Sequence, residues 1–283
     1  MKLKEFFFLL GMQPKPRVYG YKINTFDLAE YGKVDYAQWL HPHEEEQILS
    51  LDVIHQINKF LSPGDTAIDI GAHTGDSTIA IALSVGKSGS VLALEPNRYV
   101  FPVLKKNSEL NPGKTNIVPL MFAATPEDGD YEFEYSDAGF CNGGLYSGIS
   151  KWKHGHAFKL KVEGRNLQSF LSNHYPDVVN RLRYIKVDTE GNDLEVLQGI
   201  SGLIKEQKPY IKAEVFKMTS PERRRNLLQF LKDHGYSVYL VVSDSNYLGD
   251  MVSDNNLTKW RHYDIFCVPE TIPDGKKLNI ERI

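Results

Sequence analysis

Asp69-Ile70-Gly71-Ala72-His73-Thr74-Gly75-Asp76 decides how this chain folds. Ahead of it, Thr66-Ala67-Ile68-Asp69-Ile70 follows the Pro63-Gly64 turn and reads as a strand. Behind it, Ser77 to Val85 has the pattern of a helix closed by Gly86. Open parallel sheets bind their ligands at such strand-to-helix turns, beyond the carboxyl ends of the strands. Gly71 lets the backbone leave the strand, and Gly75 allows a ligand or the next helix to approach closely. The Gly-x-x-x-Gly spacing is neither the dinucleotide fingerprint nor a phosphate loop, which argues against a nucleoside pyrophosphate. Asp69 would repel a phosphate, yet it can accept hydrogen bonds through water from an ammonium group.

Working outward, Ser90 to Leu94 is a second strand and Glu95 ends it. A carboxylate there takes both hydroxyls of a ribose. A ribose acceptor without a phosphate cradle implies an adenosine cofactor lacking phosphates, and S-adenosylmethionine is the obvious one. The competing reading is that Asp69 caps its turn and Glu95 pairs with a surface lysine. Two acids at successive strand ends favour the cofactor.

The alternation continues with a helix at Arg98 to Leu110, stopped by Asn111-Pro112-Gly113, and a third strand at Asn116 to Phe122. Between Pro126 and His156 the rhythm breaks. Tyr131 to Tyr135 and Phe158 to Val162 alternate with period two and read as half-exposed edge strands, with a glycine-rich loop between them. Helices are then expected at Asn166 to His174, Asp193 to Ile204 and Pro221 to His234, and strands at Tyr184 to Val187 and Tyr210 to Val215. Tyr236 to Val242 and Tyr263 to Val268 have no helix between them and read as antiparallel neighbours. The expected fold is α/β: a mostly parallel seven-stranded sheet with helices on both faces. Residues 1–45 form an N-terminal extension or cap, 46–283 the main domain, and 136–157 a substrate loop.

Asp-Ile-Gly-Ala-His-Thr-Gly, followed by Leu94-Glu95-Pro96-Asn97 and a helix reaching Asn107, resembles a Rossmann-like class I S-adenosylmethionine-dependent methyltransferase. The run Ile185-Lys186-Val187-Asp188-Thr189-Glu190-Gly191-Asn192-Asp193 through Gly199 resembles the signature of the FkbM family within that class. Lys208 to Val215 is similar to the same family's next strand. The likeness covers roughly residues 45 to 243, and Lys-x-Asp-x-Glu-Gly is its most discriminating part. There are departures: His73 stands where the family often has Asn, and Leu167-Gln168-Ser169-Phe170 where it commonly reads Leu-Asp-Asp-Phe. The resemblance implies O-methyl transfer to a hydroxyl of a sugar, glycan or related natural product. Asp69 and the turn Gly71, Ala72, His73, Thr74 and Gly75 would hold the methionine end. Glu95, with Pro96 and Asn97, would hold the ribose, and Ala123 and Ala124 would border the adenine.

Methyl transfer is an in-line displacement, and an alcohol needs a base or a divalent cation to become a nucleophile. Asp188 and Glu190 follow the fourth strand and Glu214 ends the fifth, so these three could share a proton with a substrate hydroxyl or hold Mg²⁺. They could equally cap the following helix. Lys186 alternates with Ile185 and Val187, faces the other side of its strand, and is expected to be buried and paired. His154 in the loop is the histidine candidate for a base, beside His156 and His41. Tyr146, Trp152 and Trp39 could stack on a sugar or simply pack. The run Pro221-Glu222-Arg223-Arg224-Arg225 opens a helix and reads as a solvated face.

Composition excludes several classes. Thirty-six acidic against 33 basic side chains leave −3, so no basic face argues for nucleic acid. The acceptor is read as a small molecule or glycan. Two distant cysteines, Cys141 and Cys267, rule out a disulfide scaffold and fit a cytoplasmic protein. Phe6 to Met12 is a seven-residue apolar run, far short of the ~20 that span a bilayer, and no cleavage site follows it. It reads as a first helix or arm packing on the body. Two rival readings are a Rossmann dehydrogenase, which fails on the missing third glycine, and a non-catalytic cofactor-binding scaffold, against which the intact turn and the Asp188/Glu190 pair argue.

Overall fold

The structure, a computed structural model, describes residues 16–135, 143–144 and 158–271. Its strands are β1 (Tyr21–Leu28), β2 (Gly32–Trp39), β3 (Thr66–Ile70), β4 (Ser90–Leu94), β5 (Ile117–Leu120), β6 (Ala123–Thr125), β7 (Gly129–Tyr135), β8 (Gly143–Gly144), β9 (Phe158–Asn166), β10 (Leu182–Val187), β11 (Tyr210–Val215), β12 (Tyr236–Leu240) and β13 (Tyr263–Pro269). Its helices are α1 (Leu51–Asn58), α2 (Asp76–Val85), α3 (Phe101–Leu110), α4 (Leu167–His174), α5 (Pro176–Val179), α6 (Asp193–Gly199), α7 (Ser201–Gln207) and α8 (Pro221–Asp233). Among the described residues no helix is long and apolar enough to cross a membrane.

Seven strands form the main sheet in the order β12-β13-β11-β10-β3-β4-β5. Every pairing is parallel except those of β13, which runs antiparallel between β11 and β12. This is the Rossmann-like class I methyltransferase fold. The chain winds outward from β3 through β4 to β5, then returns beside β3 with β10, which makes the β3/β10 junction the topological switch point.

Alternation along the strands divides the core in two. Ile68, Ile70, Ile185, Val187, Ile211 and Ala213 pack on one face under α4 to α8, while Ala67, Tyr184, Tyr210 and Phe266 face α1 and α2. The second face also carries charge. The register aligns Asp69 with Lys186 and Lys186 with Lys212 across three neighbouring strands.

The first described segment is a hairpin, β1 with β2, laid against α3. Its docking is polar as well as apolar. Asn107 accepts from the Ala37 N–H at 2.7 Å and donates to the Ala37 carbonyl at 3.2 Å, and Asn111 does the same for Asp35 at 3.0 and 2.8 Å. Placed i, i+4 on one helix face, two amides stand in for a neighbouring strand and satisfy the edge of β2. Trp39, Ala37, Val100 and Val103 close a small apolar cluster beneath them.

Three local expectations are corrected. Tyr131 to Tyr135 and Phe158 to Val162 are strands, but neither lies at the edge of its sheet. They pair with each other as β7 and β9 in a separate sheet, β6-β9-β7-β8. The single helix expected over Asp193 to Ile204 is two, because Gly199 weakens the helix and the side chain of Gln168 caps the second one. Its Oε1 accepts the N–H groups of Gly202 and Leu203 at 2.9 and 3.3 Å. The arginine run is not a plain solvated face: Arg224 is buried, and Arg223 bonds Glu195 and the Gly191 carbonyl.

Candidate active site

The turn after β3 is built around close backbone approach. Gly71 has φ +80°, and its N–H and that of Ala72 donate to the Leu94 carbonyl, holding the turn against the end of β4. A Cβ on Gly71 would collide with the backbone of Asp188. Gly75, at φ +93°, begins α2. His73 takes φ +48°, a left-handed conformation uncommon for a residue with a side chain, and its N–H donates to Glu95 Oε2 at 3.0 Å.

Glu95 is 7% exposed and also accepts the Asn97 N–H on Oε1 at 2.7 Å. Burial pushes its carboxyl above the usual carboxylate range, against the pull of His73 and the two backbone N–H groups. A cavity of about 640 Å³ opens beside it, a volume ordinary for a cofactor or small ligand. Gly71, His73, Glu95, Pro96, Asn97, Ala123 and Ala124 all line it, together with Asp188 and Glu190.

Ala72, Thr74, Gly75 and Asp69, expected at the cofactor, do not line this cavity. Asp69 is 0% exposed; Oδ2 accepts from Ser77 and Thr78 hydroxyls at 2.9 and 2.7 Å, and Oδ1 meets Lys186 Nζ at 3.5 Å. It anchors the first turn of α2 and neutralises a lysine. Thr74 points away, its hydroxyl bonded to Tyr36 at 2.9 Å and to Glu44 at 3.4 Å. Lys186 is buried and paired as expected, with Asp188 at 3.3 Å as its second partner. Burial alone would lower its ammonium, but Asp69 and Asp188 outweigh that and hold it well above the usual lysine range. Lys212, beside it, meets Asp264 and Asp244 at 3.0 and 3.2 Å, so both lysines in the cavity wall are neutralised by acids.

The three carboxylates expected to act together separate. Asp188 and Glu190 face the main cavity, Glu190 with φ +55°; burial and then Asp188 raise its carboxyl. Glu214 faces a small recess with Gly191, Asp193, Thr219 and Arg223, and its Oε1 lies 2.6 Å from His262 Nε2. Among the described residues no group of three or more His, Cys, Asp or Glu side chains is placed to hold a metal ion. His154, and the Tyr146 and Trp152 of the same loop, lie outside the described residues.

Residues 69–238, more than half of the chain, match the methyltransferase FkbM domain. The chain belongs to the FkbM family of class I S-adenosylmethionine-dependent methyltransferases. One relative is the hexuronic acid methyltransferase AglP of Haloferax volcanii, 29% identical over 154 residues that cover 54% of this chain and 57% of that one. The chain thus spans little more than half the length of that relative. Among solved structures, a methyltransferase FkbM from Methylobacillus flagellatus is similar at 16% identity, covering 74% of this chain and 47% of that one with a TM-score of 0.41. A SAM-dependent O-methyltransferase from Thermotoga maritima is similar at 12% identity, covering 88% and 79% with a TM-score of 0.43.

The FkbM cofactor fits the residues present. His73 Nε2 and Thr189 Oγ1 are buried side-chain atoms with no hydrogen-bond partner among the described residues, and both belong to residues lining the cavity. With the buried Glu95 they supply polar groups that a ribose and an amino-acid moiety can satisfy. The wall contributed by His43, Glu44 and Gln47 was missed by sequence reasoning. Glu44 lies 3.9 Å from His73 Nδ1, and burial raises its carboxyl despite that neighbour. The only signal was the aromatic and histidine content of residues 36–42, which lie next to it.

Proposed function

We propose that this FkbM-family chain transfers a methyl group from S-adenosylmethionine to a hydroxyl of a sugar, glycan or related natural product. The observation that carries the reading is a single cavity with Glu95 on one wall and Asp188 and Glu190 on another. Glu95 would hold the ribose hydroxyls, Ala123 and Ala124 would border the adenine, and the Gly71 turn with His73 would hold the amino-acid end. The bound cofactor supplies an electrophilic methyl group on a sulfonium, which an acid-lined cavity favours over an anion.

An acceptor hydroxyl is oriented by accepting groups, and we assign that role to Asp188 and Glu190, which line the same cavity as Glu95. Both line the cavity; Asp188 is held there by Lys186, and Glu190 sits on a strained backbone. Because Glu214 diverges from this pair, we assign deprotonation to protein groups rather than to a Mg²⁺ ion. A sugar acceptor is supported by the relative named for methylating a hexuronic acid. We place the reaction in the cytoplasm, a reading supported by cysteine usage.

The test is transfer of a labelled methyl group to a panel of neutral glycosides and uronosides, with the product position read by NMR. A methyl ether is expected. Methylation only at a uronate carboxyl would overturn the hydroxyl assignment, and no transfer to any sugar would overturn the acceptor class.

A further inference from the structure

We propose that the acceptor is an uncharged sugar whose hydroxyls donate to Asp244 and Asp264, and that a sugar carrying a carboxylate is rejected at the same place. The inference rests on the sugar-methylation reading and deepens it by naming the charge class of the acceptor and two residues that select it.

The cavity is longer than the cofactor assignments fill. Glu95 after β4, Gly71 after β3, Asp188 after β10, Lys212 on β11 and Asp264 on β13 all line it, and these five strands are consecutive neighbours in the sheet. At the spacing of paired strands, the stretch from β4 to β13 is roughly 19 Å. The ribose and amino-acid assignments take the part over β4 and β3, and Asp188 and Glu190 stand at β10. What remains is walled by Lys212 and Asp264, by Asp244 and Tyr247 from the loop after β12, and by Val53 and Ile57 of α1. An acceptor whose reacting hydroxyl meets Asp188 and Glu190 extends into this end.

This end offers acceptors rather than free cations. Among the described residues, eight carboxylate side chains line the cavity against two lysines and no arginine. Lys186 is held by Asp69 and Asp188, and Lys212 by Asp264 and Asp244. Burial works against the Lys212 ammonium, yet the neighbouring Tyr247, Asp264 and Asp244 hold it above the usual lysine range. Its acidic partners are anchored through the backbone. Asp264 belongs to β13, and Asp244 sits in a turn closed by reciprocal N–H to carbonyl bonds between Ser243 and Asn246, 3.2 and 3.0 Å long. The Tyr247 ring centre lies 5.3 Å from the same Nζ. An anion reaching for Lys212 would have to displace an anchored carboxylate.

The two acids themselves remain accessible. The Asp244 and Asp264 side chains are 72% and 36% exposed, against 10% for Lys212. Asp244 meets the lysine through Oδ1 and Asp264 through Oδ2. An ionised carboxylate has about four lone-pair positions, so one ammonium contact leaves room for sugar O–H donors. A hydroxyl donates to such a wall. A uronate carboxylate can only accept, and it meets like charge there.

Matched sugar sets test this with labelled cofactor: methyl glucoside, galactoside and mannoside, each beside its C6 uronoside and that uronoside's methyl ester. The glycoside should exceed its uronoside by about tenfold or more in kcat/KM. The ester, which removes the charge and keeps the C6 carbonyl, should recover most of the difference, and high salt should narrow it. Asp244→Asn, on an exposed turn, and Asp264→Asn should each raise KM for the glycoside several-fold with S-adenosylhomocysteine affinity unchanged. Both should also narrow the discrimination against the uronoside, because Lys212 loses a partner. A uronoside used as well as its glycoside in every set, or discrimination unchanged in both variants, would overturn the proposal. A wild-type enzyme that methylates none of these sugars would instead overturn the sugar-methylation reading. Saturation-transfer NMR on the S-adenosylhomocysteine complex ranks the same sets without turnover, and uronoside binding equal to or tighter than that of the glycoside would overturn the charge selection by itself.

Discussion

A methyl group added to Gly71 would lie 1.9 Å from the carbonyl oxygen of Asp188. The glycine turn after the first parallel strand and the acid loop of the fourth are thus pressed together at the switch point with no room for a side chain. Gly71→Ala should destabilise the protein by more than ~1 kcal/mol, since it meets both this clash and φ +80°. It should also abolish S-adenosylhomocysteine binding. Gly199→Ala, where a Cβ meets nothing within 4 Å, is the control and should leave binding intact without lowering the melting temperature.

Removing the Glu95 carboxylate strips two backbone N–H groups, those of His73 and Asn97, of their acceptor. Hydrogen bonds to a charged group are worth about 1.5–3 kcal/mol each. Glu95→Ala should therefore weaken S-adenosylhomocysteine binding by ten- to a hundredfold in calorimetry. Unchanged affinity would remove the ribose assignment.

Lys186 is the cation that a wholly buried Asp69 faces. Lys186→Met should cost about 3–5 kcal/mol in denaturant unfolding, because it strands that carboxylate. Adding Asp69→Asn to it should restore much of the loss, and a double variant no more stable than the single would show that the pair is not what holds α2 to the sheet.

Asp193 at the start of α6 is buried, and burial, followed by Asp188, raises it from 3.8 to about 8. The folded state holds this proton more tightly than the unfolded one, so stability from this group is full below pH ~4 and lost as pH rises through 8. Asp193→Asn should flatten that decline. The stability difference between pH 5 and pH 8.5 should shrink by roughly 2 kcal/mol or more.

If deprotonation belongs to protein groups, turnover should survive EDTA within about twofold. Loss of activity on chelation, restored by added Mg²⁺, would show that Asp188 or Glu190 works through a cation.

The sheet was legible because each parallel strand is a short apolar run closed by a glycine turn, and such a signal is local. Glu95, Ala123 and Ala124 could be placed at the cavity for the same reason: a strand end fixes where the next residue lies. Asp69 could not, because its partner Lys186 becomes adjacent only through the β3/β10 pairing, which spacing along the chain does not encode. Glu44 reaches the cavity only because the hairpin is laid on α3 by Asn107 and Asn111. His262 meets Glu214 from 48 positions away, through an antiparallel strand inserted into a parallel sheet. The arginine run failed as a solvated face because charge at a helix start says nothing about which carbonyls the rest of the fold leaves unmet.

Arg223 and Arg224 are consecutive on α8 yet grip different segments: Arg223 the Gly191 turn, Arg224 the segment leading to His262. A single helical turn therefore ties the Glu190-Gly191 loop and the segment entering β13 to one rod. Substitutions in the hydrophobic seat of α8, at Leu227, Leu228 or Leu231, should consequently loosen both segments together.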